Sequence, residues 1–462
     1  MRPSLAGIVL GLALWAAVSP AAAQQRESDR MRIDLPYERF VLPNGLQVLV
    51  HEDHSVPIVA VNIWYRVGSK DEKPGRTGFA HLFEHLMFEG SANAPEGVFD
   101  ELLESAGGVN NGSTTPDRTN YWETVPSNAL ELALWLEADR MGWLLDAMTQ
   151  EKLDAQRDVV KNERRQSYEN RPYGLAFETL LAALYPPSHP YHWPTIGSMA
   201  DLDAASLEDV RDFFRTYYAP NNASLAIAGA VSTDSVRVLV ERYFGDIPRG
   251  PAVPAVDAPP AALEAAKYPV LEDRVQLPRL YMAWHTPPRF APGDAEMDVA
   301  ASVLADGKTS RLYRKLVYDL QIAQDVGAFQ NSALLGSDFF IVVTARPGVS
   351  LERLENEVRT ELAALARELR PEELTRARNK IETSFVEALE RVGGFGGKAD
   401  QLNTYAFYAG DPGFVDEDLQ RYRSLTEDAV EAAVQRYLVA APGVVLSVVP
   451  EGRPELAARE GT

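Results

Sequence analysis

His81-Leu82-Phe83-Glu84-His85, inside the run Arg76-Thr77-Gly78-Phe79-Ala80 to Leu86-Met87-Phe88-Glu89-Gly90, is the stretch on which the reading of this chain turns. As a helix it sets His81, Glu84 and His85 at i, i+3 and i+4, so two imidazoles and a carboxylate project from one face. Two neutral imidazoles one turn apart can both reach a tetrahedral zinc ion at ~2.0–2.1 Å, and a third protein ligand leaves one position open for water. Glu84, between them, is placed to take a proton from that water and return it to a leaving amine. The order His-x-x-Glu-His reverses the commoner His-Glu-x-x-His. The bland alternative is an amphipathic core helix with two surface histidines, and the rest of the chain argues against it.

Outward from this stretch, the N-terminus carries an export pattern. Met1-Arg2-Pro3 supplies a positive charge, Leu5 to Val18 is apolar, and Ala21-Ala22-Ala23 precedes Gln24 as a cleavage site. The expectation is a signal peptide over residues 1–23, cleavage after about Ala23, and a periplasmic mature protein. The apolar run is shorter than the ~20 residues of a spanning helix, so no stable membrane insertion is expected; left uncleaved, the segment would act as an anchor. The chain has no Cys, so an exported fold must be held by burial, and 46% hydrophobic residues supply an ample core. A formal net charge of −21 argues against nucleic acid, whose phosphates it would repel.

Residues 24–36 are polar and read as a disordered lead-in. Phe40-Val41-Leu42 and Leu46 to Val50 flank Pro43-Asn44-Gly45, a β-hairpin signal. Val59 to Val67 alternates, with Val61, Ile63, Tyr65 and Val67 on one face of a half-buried strand. Val98 to Ala106 reads as a helix stopped by Gly107-Gly108. Val109 to Thr115 and Asp117 to Pro126 read as paired strands rich in polar groups. Their edge, at Asn111, Gly112, Ser113 and Thr114, is suited to receive a peptide by strand addition, a plain hairpin being the alternative. Ala129 to Leu145 and Thr149 to Tyr168 are amphipathic helices. The second carries Glu163 and leads to Glu169; either would complete a His2Glu site, and spacing alone does not choose.

Residues 247–266, with Pro248, Pro251, Pro254, Pro259 and Pro260, mark an extended linker. Beyond it the order of elements restarts: strands at Leu280 to His285, Phe339 to Thr344 and Val444 to Val449, helices at Asp294 to Leu304 and Glu372 to Glu390. This reads as a duplication of one α+β unit. The counterpart of the His81 helix, Met297 to Val303, holds no His and no Glu, so only the first half is expected to bind metal. Gly393-Gly394-Phe395-Gly396-Gly397 matches no phosphate-binding motif and reads as a hinge or mobile loop.

Together these residues resemble the pitrilysin/insulinase type of inverzincin metallopeptidase, in its short two-domain form similar to the mitochondrial processing peptidase and bacterial exported homologues. The resemblance runs over nearly the whole mature chain, through Met87-Phe88-Glu89-Gly90-Ser91, Gly107-Gly108, Asn111, Thr114, Asp117, Thr119, Tyr121, Val159-Val160 with Glu163, Tyr218 with Pro220-Asn221-Asn222, and Gly307 to Leu312. It implies an α+β fold of two homologous domains, each a mostly antiparallel sheet packed against helices. The expected boundaries are a zinc-binding domain at 37–246 and a metal-free domain at 267–455. It further implies one zinc per chain held by His81, His85 and Glu163, Glu84 as general base, Asn111 to Thr114 as substrate edge, and cleavage of unfolded peptides within a chamber.

Two departures from the resemblance matter. Gln156 stands where family members carry a supporting glutamate beside the site. Val317 and Gln324 stand where active members carry an Arg and a Tyr that polarise the scissile carbonyl. The expected partner is therefore a homologous zinc-free subunit that supplies the Arg/Tyr pair, in a heterodimer. The alternatives are a self-sufficient homodimer and a non-catalytic scaffold subunit.

Overall fold

The structure is a computed structural model that describes residues 32–256, 258 and 261–458. The expected signal peptide and most of the lead-in lie outside the described residues, as do Asp257, Pro259 and Pro260 of the linker. No helix of the described residues is long and apolar enough to cross a membrane.

The first sheet begins with the hairpin at Pro43-Asn44-Gly45, which joins β1 (Glu38–Val41) to β2 (Gln47–Glu52) with Val41 opposite Gln47. Gly45 supplies the turn with φ +97°, and the Asn44 amide spans to the carbonyls of Phe244 and Ile247 at 2.7 and 3.0 Å. With β3 (Ile58–Tyr65), β4 (Val109–Thr114), β5 (Thr119–Pro126) and β6 (Ala223–Gly229) the strand order is β1-β2-β6-β3-β5-β4. The β2–β6 pair is parallel and the others are antiparallel. The second sheet contains β7 (Val270–Asp273), β8 (Arg279–Thr286), β9 (Ala323–Asn331), β10 (Ser337–Ala345) and β11 (Val444–Pro450), in the order β7-β11-β8-β10-β9. Here β7–β11 is the parallel pair. The succession β2-β6-β3-β5-β4 thus recurs in order and polarity, with β1 as the addition.

Helices α1 (Phe79–Leu86), α2 (Val98–Ser105), α3 (Leu130–Ala147), α4 (Gln150–Arg164), α5 (Ala176–Leu184), α6 (Leu207–Tyr217) and α7 (Thr233–Phe244) come from the first half of the sequence. Helices α8 (Asp294–Ala305), α9 (Leu351–Leu365), α10 (Pro371–Glu390), α11 (Lys398–Tyr408), α12 (Val415–Arg423) and α13 (Glu427–Val434) come from the second. One core joins Val59, Val61, Ile63 and Tyr65 of β3 to Leu82, Phe83 and Leu86 of α1 and Leu134 and Met141 of α3. The other joins Leu280, Met282 and Trp284 of β8 to Val299 of α8, Val358 of α9 and Val434 of α13.

The opposite face of each sheet is covered by a helix from the other half. Helix α11 lies on β3, β6 and β2, and Leu180 and Leu184 of α5 pack on Tyr281, Ala283, Phe340 and Leu446 of the second sheet. This corrects the expectation that β3 is half-buried. Ala60, Asn62 and Trp64 on its second face are buried as deeply as the first, at 1–3% exposure, because α11 arrives from more than three hundred residues away. The lead-in is also corrected at its end: Leu35 is buried, and the Pro36 carbonyl is 2.7 Å from His51 Nδ1.

The glycine-rich run at 393–397 is likewise not a free loop. It docks on β3 and β5, where a side chain at Gly393 would collide with Thr124 and Ala60, and Phe395 meets Trp122 edge-on at 5.5 Å. Strand β9, Ala-Gln-Asp-Val-Gly-Ala-Phe-Gln-Asn, carried no strand signal because it is a polar sheet edge.

Candidate metal centre

Helix α1 starts at Gly78, whose φ of +87° opens the first turn. An added Cβ there would meet the Ile196 carbonyl at 2.7 Å, so only glycine lets the two backbones cross. The free N–H groups of the first turn go to a buried carboxylate. Glu72 Oε2 accepts from Gly78 N at 3.0 Å and Trp193 Nε1 at 3.0 Å, and Oε1 accepts from Ala80 N at 2.8 Å. Burial pushes the Glu72 carboxyl up to about 8, with these hydrogen bonds opposing it. Leu82, Phe83 and Leu86 are buried, Phe83 stacking on Phe213 at 4.9 Å and Tyr218 at 5.2 Å. The other face, His81, Glu84 and His85, turns toward α4 and β4.

Helix α4 is capped by Thr149 Oγ1 and delivers Glu163 one residue before its end. The next residue, Arg164, fixes that end: Nη1 donates to the Gly197 carbonyl at 2.7 Å and Nη2 to both Glu178 oxygens at 3.1 and 2.9 Å. Glu163 Oε2 then lies 3.7 Å from His81 Nε2 and 3.4 Å from His85 Nε2, and the two imidazoles meet edge to face at 4.8 Å. Glu169, the other carboxylate left open by spacing, pairs instead with Arg164 at 3.5 Å.

The three donors fit a zinc ion. Ligands arranged tetrahedrally at ~2.0–2.1 Å from zinc stand about 3.3 Å apart, close to both Nε2–Oε2 distances. Burial pushes the His81 imidazole down to about 4; His85 adds to this and Glu163 opposes it, so the ring is a neutral donor. The hydrogen bond to His85 and the attraction of both rings hold Glu163 below its ordinary value, as an anion. His81, His85 and Glu163 are the one group of three or more such side chains with metal-binding spacing among the described residues.

Glu84 stands beside the cluster on the same helix face. Its Oε2 accepts from Thr114 Oγ1 at 2.6 Å, which leaves Oε1 to other partners. Burial raises its pKa, while Thr114, His85 and Arg118 oppose the shift. Its position depends on glycine in β4: a Cβ on Gly112 would stand 3.2 Å from Glu84 Cγ and 3.2 Å from the Tyr121 ring.

Strand β4 is the outer strand of its sheet, and its far edge pairs with no strand among the described residues. Gly112 and Thr114 face α1, Asn111 is exposed, and Ser113 Oγ donates to Asn120 Oδ1 at 2.6 Å. Gln156 donates to Glu89 Oε1 at 2.6 Å. Val317 is half-buried in a π-helical turn at Tyr313–Asp319, and Gln324 is exposed on β9. Glu72 and Arg118 give no signal in the sequence. A lone Glu in the Gly68 to Gly75 loop has no periodic signal, and Arg118, whose Nη1 reaches the Ser113 carbonyl at 2.8 Å, sits in a turn.

Comparison with known proteins gives concordant findings. Residues 47–190 match the family model described as insulinase (peptidase family M16), and residues 204–381 match the one described as peptidase M16 inactive domain. The zinc protease PqqE of Helicobacter pylori is 30% identical over 361 residues, covering 77% of this chain and 80% of that protein. The crystal structure of a protease from Helicobacter pylori superposes with a TM-score of 0.83 at 25% identity, over 90% of this chain and 100% of that one. The periplasmic protease PqqL from Escherichia coli superposes with a TM-score of 0.74 at 17% identity, over 93% of this chain but 49% of that one.

Proposed function

The chain belongs to the insulinase family of peptidases, family M16, and from that premise we propose that it is a zinc metalloendopeptidase that cleaves unfolded peptides or oligopeptides within a closed chamber. The observation that carries this reading is the convergence of His81, His85 and Glu163 from α1 and α4 beside Glu84 and an unpaired sheet edge. The match to an inactive domain, over residues 204–381, begins within the first half but after Glu163, so it contains none of His81, Glu84, His85 and Glu163.

His81 Nε2, His85 Nε2 and a Glu163 oxygen would hold the ion. Zinc held there supplies Lewis acidity, polarising a carbonyl and making water acidic enough to lose a proton near neutral pH. Glu84 takes that proton at Oε1, while Thr114 holds Oε2 and fixes the carboxylate plane. The deprotonated water oxygen would add to the peptide carbonyl carbon, and as the C–N bond breaks Glu84 returns the proton to the departing amine nitrogen. Strand β4 aligns the substrate by adding it as a further strand along Asn111 to Thr114.

A homologous zinc-free subunit supplies the cation and hydroxyl that Val317 and Gln324 cannot. The length relation to PqqL, one polypeptide about twice as long, supports such pairing, through an interface of obligate size. The Met1–Ala23 pattern supports export to the periplasm, and the division into 37–246, linker and 267–455 is the proposed domain organisation.

The test is hydrolysis of a quenched unfolded peptide library by the purified protein, alone and with a homologous subunit that carries the Arg/Tyr pair, with Glu84→Gln as control. Chelator-sensitive cleavage only in the mixture, lost in the variant, is expected. Cleavage by the chain alone would establish the self-sufficient form. No cleavage in either arm, with no zinc bound, would make the protein a scaffold subunit.

A further inference from the structure

Among the described residues the second half adds nothing to the His81, His85 and Glu163 cluster, yet one of its helices holds the hairpin that flanks Glu84. Asp400, on the first turn of α11, is 8% exposed and accepts four hydrogen bonds. Its Oδ1 receives Trp64 Nε1 at 2.9 Å, Asn120 Nδ2 at 3.1 Å and Asn62 Nδ2 at 3.3 Å, and its Oδ2 receives Gly396 N at 2.8 Å. Three of these donors belong to β3 and β5. Two turns on, Tyr408 donates its hydroxyl to Asp117 Oδ2 at 3.2 Å, in the turn that joins β4 to β5. Asp117 also accepts from Tyr191 at 2.5 Å and from Leu334 N at 2.9 Å. One helix thus grips the hairpin at two points.

From there the path to the peptide edge is short. Asn120, held by Asp400 through Nδ2, accepts Ser113 Oγ through Oδ1 at 2.6 Å. The Ser113 carbonyl and hydroxyl accept Arg118 Nη1 at 2.8 and 2.7 Å, and that guanidinium lies over the Trp64 ring at 4.9 Å, the same indole that donates to Asp400. Ser113 precedes Thr114, which holds Glu84.

We propose that α11 is the positioning element of the peptide-binding edge, with Asp400 and Tyr408 as positioning residues through which the metal-free half sets where strand β4 lies. The inference rests on the reading of β4 as the substrate edge. Asp400 suits this role because every partner is a donor and an ionised carboxylate is acceptor-only. An amide at this position keeps the shape but turns two donor hydrogens into a ring of donors. Helix α11 lies across the sheet from α1, so the change leaves His81, His85 and Glu163 in place.

The experiment uses the full-length protein in a Glu84→Gln background, which holds peptide without cutting it, paired with the homologous subunit that carries the Arg/Tyr pair. Binding of fluorescein-labelled unstructured peptides is read by anisotropy, and zinc affinity is measured separately. Adding Asp400→Asn is expected to weaken peptide binding by roughly 10-fold or more, the scale of losing hydrogen bonds to a charged group. Tyr408→Phe should weaken it several-fold, and zinc affinity should stay within 2-fold in both. Tyr408→Phe removes a single hydroxyl and decides the matter if Asp400→Asn does not fold. Peptide affinity unchanged in the folded variants overturns the inference alone, as does a parallel fall in zinc affinity. Absence of peptide binding in the Glu84→Gln parent overturns the proposed function and this inference with it.

Discussion

Replacing Glu72 with Gln sets burial against hydrogen bonding at one carboxyl. Folding pushes the Glu72 pKa from an ordinary 4.5 up to about 8. A carboxyl raised on folding binds its proton more tightly in the native state, so its contribution to stability is full below pH 4.5 and is lost as pH rises toward 8. At 1.36 kcal/mol per pH unit, the wild-type protein loses roughly 3–4 kcal/mol relative to an uncharged residue between pH 5 and pH 8. Glutamine does not titrate, and its amide also sets a donor against the N–H groups of Gly78 and Ala80. The wild type should therefore be the more stable at pH 5, and its advantage should shrink by roughly 3–4 kcal/mol, or reverse, by pH 8. Urea midpoints of wild type and Glu72→Gln, measured at pH 5, 6.5 and 8 by tryptophan fluorescence, give the gap directly. A gap that stays flat or widens with pH would show that the three donors outweigh burial and that Glu72 is already ionised at pH 5.

Three further outcomes are expected. Thr114→Val removes the hydroxyl at 2.6 Å from Glu84; kcat should fall roughly 10-fold with KM and zinc content little changed, since one hydrogen bond to a charged group is lost, and steady-state kinetics beside metal analysis reads this. Glu163→Gln should weaken zinc binding by more than the ~10–100-fold typical of a supporting residue, while Glu169→Gln should not, as competition with a chelating dye reports. Arg140→Met should cost about 3–5 kcal/mol in chemical denaturation, because buried Arg140 donates to Glu137 at 2.9 Å and Glu123 at 3.1 Å and its loss leaves two carboxyls facing each other.

What the sequence made legible was local. Pro43-Asn44-Gly45 announces the first hairpin because turn chemistry is contained in three residues, and the polar run from Asn110 to Asn120 announces β4 and β5 because alternation and a turn suffice. His81, Glu84 and His85 lie on one helix, so their common face follows from spacing. Spacing did not choose Glu163 over Glu169, and only the family resemblance implied it, because the choice depends on how Arg164 anchors the end of α4. The burial of Trp64 and Asn62, the docking of Gly393 and the roles of Glu72 and Asp400 stayed hidden for the same reason. Each depends on a partner far along the chain, and periodicity carries no information about what covers a strand's second face.

The crossed helices also explain why a half that adds no described residue to the metal-binding cluster is kept. If the second half merely sat beside the first, it would be a dispensable passenger, open to truncation. Here its helix α11 closes the first sheet, while α5 closes the second, so deleting either half strips a face from the survivor. Selection can therefore erase the chemistry of the duplicate but not its fold. The two copies are free to diverge at their surfaces and in their sites, yet they remain bound to a single fate at the face each lends to the other.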